Sequence, residues 1–399
     1  MTRGLHKVIR AIIFVKLPPK QSLMRFAEFF AGIGLVRMGL ESAGWSVAFA
    51  NDIDPLKALL YQSHYPPSDD TFLLGDIHEL DASVVPDIDL ATASFPCTDL
   101  SLAGSRRGLS GSQSSAFWGF TRVLEELGGR RPPLVLLENV PGFLTSHNGK
   151  DFTDALLALN RLGYAVDAFM VDALHFVPQS RLRLFIVGSH WLPTAIDEGQ
   201  LLFYQSAIRP PQLASFIFSH PEINWRIQEL PPLPKPKNNL SAILEDLNPA
   251  SEEWWSQARV DYLINQMSPR HAQKLMEMKH APQFSYGTVF RRIRQGKSMA
   301  ELRTDGIAGC LRTPKGGSAR QILVRAGQGE VSVRLLTPCE CARLMGADNF
   351  TITGSPNQAL FGFGDAVCVP VITWIAENYL NPLLYQIKAQ YEQNVYESV

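Results

Sequence analysis

The sequence predicts an α/β protein: a doubly wound parallel sheet, followed by a smaller, irregular second region and a C-terminal stretch that returns to the first. Three observations predict it. From Arg25 to about His190, short apolar runs rich in β-formers alternate with segments of helical period. After about Trp191 the chain turns aromatic, irregular and proline-broken, with Pro231-Pro232-Leu233-Pro234-Lys235-Pro236 as a stiff connector. The side chains able to do chemistry are expected at the carboxyl ends of strand-like runs, beyond which such a sheet binds its ligands.

Taken in order, residues 1–23 are expected to be a loosely ordered extension or an upstream misread start. Arg3, Lys7 and Arg10 before Ala11-Ile12-Ile13-Phe14-Val15 look faintly like an export signal, but Lys16 and Pro18-Pro19 end it too early. A strand is expected over Arg25 to Phe30, a helix over Leu35 to Ala43, a strand over Ser46 to Ala50 and a helix over Pro55 to His64. Further strands are expected near Leu90, Leu134, Val166 and Leu184, with helices over Phe117 to Leu127 and Asp151 to Leu162. The apolar stretch Ala359 to Tyr379 is helix-compatible and is expected to pack back. The expected division is 24–190, 191–350 and 351–399.

At 399 residues the chain is long enough to bury a full core. Its net charge is −1, so a polyanion must be held by a local basic surface. Such a surface exists in the sequence: between 256 and 330, thirteen Lys and Arg face five Asp and Glu. Within it, Arg312-Thr313 and Arg320 flank Pro314-Lys315-Gly316-Gly317-Ser318-Ala319, small residues that suit close approach to phosphates. Five cysteines without zinc-like or paired spacing exclude a disulfide frame and point to a reducing cytoplasm. No metal site is expected, and all cysteines but Cys97 are expected to be small buried hydrophobes. No run of eighteen apolar residues is present, so no spanning helix or membrane partner is expected.

The chemistry begins at Phe95-Pro96-Cys97, at the end of Ile88 to Ser94, where proline fixes the backbone before a presented thiol. Glu138-Asn139-Val140 and Gln179-Ser180-Arg181-Leu182-Arg183 are expected to close later strand-like runs in the same way. A thiol, a carboxylate and two guanidiniums would then converge on one sheet edge and suit attack on an electron-poor ring. Directly after Cys97, the glycine-rich run Ser101 to Ser112 carries Arg106 and Arg107 and suits a mobile segment that meets phosphates.

The cofactor end is Phe29-Phe30-Ala31-Gly32-Ile33-Gly34-Leu35, where paired glycines let a ligand approach a helix N-terminus. A dinucleotide fingerprint needs a third glycine where Arg37 stands, which disfavours a pyrophosphate cofactor. Asp52 ends the next strand and suits ribose hydroxyls, Ile53 could cover an adenine face, and Gly75-Asp76-Ile77 offers a carboxylate to an exocyclic amine. Acids at strand ends also cap helices and turns, as Asp54 before Pro55 would. Together they fit a nucleoside cofactor without diphosphate, such as S-adenosylmethionine.

These segments resemble the C5-cytosine DNA methyltransferases of prokaryotic restriction-modification systems. They are Phe29 to Gly34, Asp52, Gly75-Asp76-Ile77, Phe95-Pro96-Cys97, Glu138-Asn139-Val140, Gln179 to Arg183, Leu336 to Gly346 and Phe363-Gly364-Asp365-Ala366-Val367, in the family's order. The resemblance implies an S-adenosylmethionine-dependent methyltransferase (Rossmann-like) domain with a target-recognition domain. It implies duplex DNA as partner, and S-adenosylmethionine contacts that include Pro96, Asp365 and Ala366. Cytosine C5 is a poor nucleophile until a thiolate adds at C6, the role implied for Cys97. Glu138 would hold N3 and share a proton there, while Arg183 and Arg181 would contact O2 and orient Glu138. A base within a duplex must be rotated out to be reached.

Three departures stand out: Thr98-Asp99 follow the cysteine where glutamine is usual, Glu28 replaces an aspartate, and Asp365 replaces an asparagine. No reacting group is lost. Two other readings are a non-catalytic nucleic-acid binder, which would need no thiol, and methylation of RNA, performed by the family's tRNA-methylating branch. The long basic middle region favours duplex DNA. A monomer and a cognate restriction endonuclease without direct contact are the remaining expectations.

Overall fold

A computed structural model describes residues 23–65, 71–96, 115–190, 205–237, 239–294, 296–313 and 320–397. Seven strands form the main sheet: β1 Met24–Phe29, β2 Trp45–Asp52, β3 Phe72–Leu74, β4 Leu90–Ala93, β5 Leu134–Asn139, β6 Ala165–Asp172 and β7 Leu182–Ser189. Their order is β3-β2-β1-β4-β5-β7-β6. The chain winds outward from β1 through β2 to β3, then returns to lay β4 on the other side of β1. That reversal opens a crevice beyond the carboxyl ends of β1 and β4.

The sheet is not wholly parallel. β7 runs antiparallel to both of its neighbours, β5 and β6. Only Ala173 to Arg181 separates β6 from β7, too short for the helical crossover a parallel neighbour requires. Gln179 to Arg183 therefore open β7 instead of closing a strand. They still reach the edge that carries Glu138, because reversal of the strand brings its start there.

Strands buried on both faces, such as Leu134-Val135-Leu136-Leu137, send alternate side chains into two cores. One core packs α1 Leu35–Ser42 against Phe26, Leu90, Leu136 and Phe185. Its α2, Pro55–His64, starts at a proline, with Asp54 Oδ1 accepting from the N–H groups of Leu56 and Lys57 at 2.9 and 3.3 Å. Asp54 is thus a helix cap. The other core receives α3 Ala116–Glu126, α4 Lys150–Arg161 and α5 Pro211–Ser219.

A third core lies within a four-stranded antiparallel sheet, β11-β10-β8-β9: β8 Ser285–Arg294, β9 Lys297–Arg303, β10 Ile322–Gly327 and β11 Glu330–Leu335. Helices α6 Gln257–Ile264 and α7 Pro269–His280 pack on it. This second unit is smaller than a division at 191 and 350 implies. Leu213, Ile217 and Trp225 bury in the first domain, where Trp225 bridges to Val166 beside the sheet edge. Leu344, Met345 and Phe350 do so as well.

The return begins at α8, Pro338–Leu344, held by a capping box between Thr337 and Glu340; the buried Glu340 also accepts from Arg334 Nη1 at 2.7 Å. The helix-compatible stretch 359–379 forms α9 Pro356–Asp365 and α10 Val369–Ile375, which leads through a π-turn into α11 Asn381–Glu397. The helical stretch Pro356–Gln393 is long and apolar enough by composition to cross a membrane. However, 67% of its apolar window is buried inside the protein. Its hydrophobicity is thereby accounted for as core.

Candidate active site

The glycine loop leaves β1 through three left-handed residues, Phe30 (φ 57°), Gly32 (φ 59°) and Gly34 (φ 82°). At Gly34 glycine is obligatory for space as well. An added Cβ would lie 2.5 Å from Tyr65 Cε2 and 2.8 Å from Tyr61 Cε2. Asp52 shapes this loop from the end of β2: its Oδ2 accepts from Gly32 N–H at 2.7 Å and its Oδ1 from Asp54 N–H at 2.8 Å. The carboxylate thus arrives pre-oriented at the crevice.

Beside it Ile53 is 63% exposed, an apolar face free to cover a flat ligand. Asp76, half-buried just beyond β3, accepts from His78 N–H at 2.9 Å through one oxygen. The side chains of Leu35 and Ile77 are buried in the cores, so what these two residues present at the crevice is chiefly backbone. Arg37, at the position a dinucleotide fingerprint gives to glycine, bonds Glu41 at 2.8 Å and lies 3.8 Å over the Tyr65 ring.

Below the loop sits Glu28. Its Oε1 accepts from Arg37 N–H at 3.3 Å, and its buried Oε2 has no hydrogen-bond partner. Burial raises its pKa to about 8, against the opposing pull of Arg37, so the carboxyl is mainly protonated at neutral pH.

At the catalytic edge, Ser94-Phe95-Pro96 continue from β4, and Pro96 is exposed. Cys97 itself lies outside the described residues, as do Ser101, Arg106 and Arg107. Glu138, buried near the end of β5, pairs with Arg183 Nε at 2.9 Å and is hydrogen-bonded by the Ser94 hydroxyl. Burial raises the Glu138 pKa despite Arg183, Arg181 and Ser94, which pull it down. Asn139 holds the turn, donating to Phe95 O at 3.2 Å and accepting from Val140 N–H at 2.9 Å.

The two arginines part company. The buried Arg181 guanidinium does not bond Glu138; it donates to the backbone carbonyls of Leu311 at 2.9 Å, Gly364 at 3.1 Å and Ala366 at 2.5 Å. It is a clasp joining three segments, one of them the return from the second unit. Ala366 is therefore engaged through its carbonyl. Asp365 pairs with Lys57 Nζ at 3.0 Å and accepts from Thr313 Oγ1 at 3.0 Å. Arg312 is exposed, with its guanidinium 5.0 Å from the Phe290 ring, and Arg320 bonds Asn357.

Sequence reasoning missed Cys310. It is half-buried beside Arg181 and Arg183, not a small core hydrophobe, and Cys339 is exposed as well. Only the fold brings Cys310 to those guanidiniums, and no local spacing signals it. Among the described residues no cluster of metal-ligating side chains occurs.

A mixed sheet with its crevice at the strand reversal, a glycine loop fixed by an acid, and a buried carboxyl on a guanidinium define a nucleoside-cofactor-binding α/β fold of the methyltransferase class. The model of the C-5 cytosine-specific DNA methylase family matches residues 24–381. The chain belongs to that family, and is an enzyme that methylates cytosine in DNA at C5.

It is 26% identical over 360 residues to the type II methyltransferase M.HhaI of Haemophilus parahaemolyticus, covering 89% of this chain and 94% of that protein. It is 29% identical over 359 residues to the type II methyltransferase M.NlaX of Neisseria lactamica, covering 89% and 96%. Among solved structures, the S. pombe Dnmt2 methyltransferase shares the fold with a TM-score of 0.57 at 18% identity, over 90% of this chain and 99% of that one.

Proposed function

We infer that the enzyme takes its methyl group from S-adenosylmethionine and modifies a cytosine rotated out of a specific duplex DNA sequence, through a covalent bond between Cys97 and C6. Bound in the crevice, S-adenosylmethionine supplies an electrophilic methyl group. Asp52 is suited to its ribose hydroxyls, Ile53 and Phe30 to its base, Asp76 to the exocyclic amine and the Gly32–Gly34 backbone to the chain that carries the sulfonium.

The Cys97 thiolate adds to C6 while protonated Glu138 donates to N3, relieving the charge that builds on the ring. C5 then carries the electron density needed to take the methyl group. Loss of the C5 proton, to water or another base, expels the thiolate and restores the aromatic ring. Arg183 holds Glu138 and is available to the base's O2. The single observation that carries the reading is Arg183 Nε on Glu138 Oε1 at 2.9 Å, one residue past Leu137, the β5 partner of Ala93 on the strand that leads to Cys97.

The recognised sequence would be read by the antiparallel unit, with Arg312, Thr313 and Arg320 along its return path on phosphates and Arg106, Arg107 and Ser101 closing on the other side. The type II names of the relatives support a restriction-modification role, alongside a separate endonuclease of the same specificity that need not touch this protein. A monomer in the bacterial cytoplasm, associated with the nucleoid, suits this role.

The test is transfer of labelled methyl from S-adenosylmethionine to mixed-sequence duplex DNA by the intact protein and by Cys97→Ser. Label on cytosine C5 that disappears in Cys97→Ser is the expected result. Label on tRNA in place of DNA, or label retained by Cys97→Ser, would overturn it.

A further inference from the structure

The segment Ala308 to Leu311 carries the chain from the antiparallel unit to the edge that holds Glu138. Four backbone-directed bonds fasten it to the start of β7. Ala308 N–H donates to Pro178 O at 2.8 Å, Ser180 N–H to Ala308 O at 3.0 Å, Leu311 N–H to Gln179 Oε1 at 2.9 Å and Arg181 Nη1 to Leu311 O at 2.9 Å. Between these anchors the Cys310 sulfur is held 3.3 Å from Arg181 Nη1 and 3.9 Å from Arg183 Nη2. Arg183 meanwhile pairs through Nε with Glu138 at 2.9 Å. Two acidic groups, a thiol and a carboxyl, therefore share one guanidinium, with the second guanidinium adjacent.

We propose that Cys310 is a positioning residue for methyl transfer: as a thiolate it takes up the charge of Arg181 and Arg183 and so keeps Glu138 protonated for its donation to cytosine N3. With a neutral group at 310, two guanidiniums would act on a single carboxyl and drive it to ionise. With an anion there, one positive charge is matched and a second negative charge repels the carboxylate, so Glu138 keeps its proton to higher pH.

The surroundings agree. Burial pushes the Cys310 thiol up, but Arg181, Arg183 and Arg312 outweigh it and leave its pKa below the ordinary cysteine value. The groups facing this cluster are Arg181 and Arg183 from the start of β7, Arg312 from the segment of Cys310, and Ser94 after β4. Cys368, before α10, also acts on Arg181, and Asp172 Oδ1 of β6 accepts from Arg181 N–H at 2.7 Å.

The proposal rests on Glu138 being the N3 donor, so its test reads the carboxyl without turnover. Isotope-edited infrared titration of the full-length protein, with the Glu138 band assigned by its absence from Glu138→Gln, is run on wild type, Cys310→Ser and Cys310→Asp. The serine variant is expected to lower the Glu138 midpoint by about one pH unit, and the aspartate variant to bring it back toward wild type. The alkaline limb of kcat should move with the midpoint, to lower pH in Cys310→Ser, while KM for S-adenosylmethionine stays fixed.

An unmoved midpoint, or equal movement in the serine and aspartate variants, overturns the proposal. A wild-type ultraviolet thiolate titration, assigned by its loss in Cys310→Ser, decides the matter should Cys310→Asp not fold. A midpoint at or above the ordinary cysteine value would sink the idea. Full activity of Glu138→Gln would instead overturn the N3 assignment, a separate readout from the infrared midpoint.

Discussion

Arg183 Nε stands 2.9 Å from Glu138 Oε1, and the two residues belong to adjacent strands that run in opposite directions. Both side chains are largely buried, so the position of each depends on the other. Their coupling is the basis for the first prediction.

Glu138→Gln removes the proton donor and leaves a neutral side chain of the same shape; kcat should fall about 10²- to 10⁴-fold. Arg183→Lys keeps the charge but loses the planar fork that serves Glu138 and Cys310 together, and should lose about tenfold or more in kcat. Arg183→Ala, which leaves Glu138 Oε1 buried without its hydrogen-bond donor, should destabilise the fold by about 1–3 kcal/mol. Single-turnover methyl transfer and denaturant unfolding check these. Wild-type kcat in Glu138→Gln would remove the carboxyl from the mechanism.

Asp52 holds the glycine loop with both oxygens, each taking a backbone N–H. Asp52→Asn must turn an NH₂ toward one of those donors, so the loop loses a bond and the site a negative charge. S-adenosylmethionine affinity measured by calorimetry should drop about tenfold or more. Unchanged affinity would show that the cofactor is held elsewhere.

Glu28 ties stability to pH. Its folded pKa of about 8 lies above the ordinary glutamate value of 4.5, so its contribution is fully present below about pH 4.5 and is lost as pH rises through about 8. Glu28→Gln should abolish this decline and become the more stable form above pH 8, by on the order of a few kcal/mol. Chemical denaturation at a series of pH values reads the difference. Parallel curves for the two proteins would mean the buried oxygen has found a partner.

Arg312 is exposed on the return path from the antiparallel unit. If it meets a phosphate, Arg312→Ala should weaken all duplexes alike and reduce the slope of log affinity against log salt by about 1. Loss confined to one sequence would instead mark it as a base reader.

Much of the first domain was legible because hydrophobic period is a local property. The helix Pro55–His64 has the expected bounds, since proline at its first position and Asp54 at its cap mark the start and the alternation of apolar residues marks its body. Strand pairing was less legible: Gln179 to Arg183 read as the end of a strand, whereas they begin β7. The packing of Trp225 and Leu344 in the first domain was hidden as well, because burial against a distant strand leaves no mark on sequence spacing. Leu35 and Ile77 belong to motifs whose backbone lies at the crevice, yet their side chains turn inward.

The sequence by itself determined most elements of the first domain, the order of the motifs and the family, because each depends on residues close together in the chain or on their succession. It placed a carboxyl and a guanidinium among the candidates for one edge. Tertiary structure alone decided that β7 reverses, that Arg183 reaches Glu138 while Arg181 clasps three backbone carbonyls, and that Cys310 arrives beside both. The physical reason is that a charge responds to distance in space. Cys310 and Arg181 lie 129 positions apart in the chain and 3.3 Å apart in the fold.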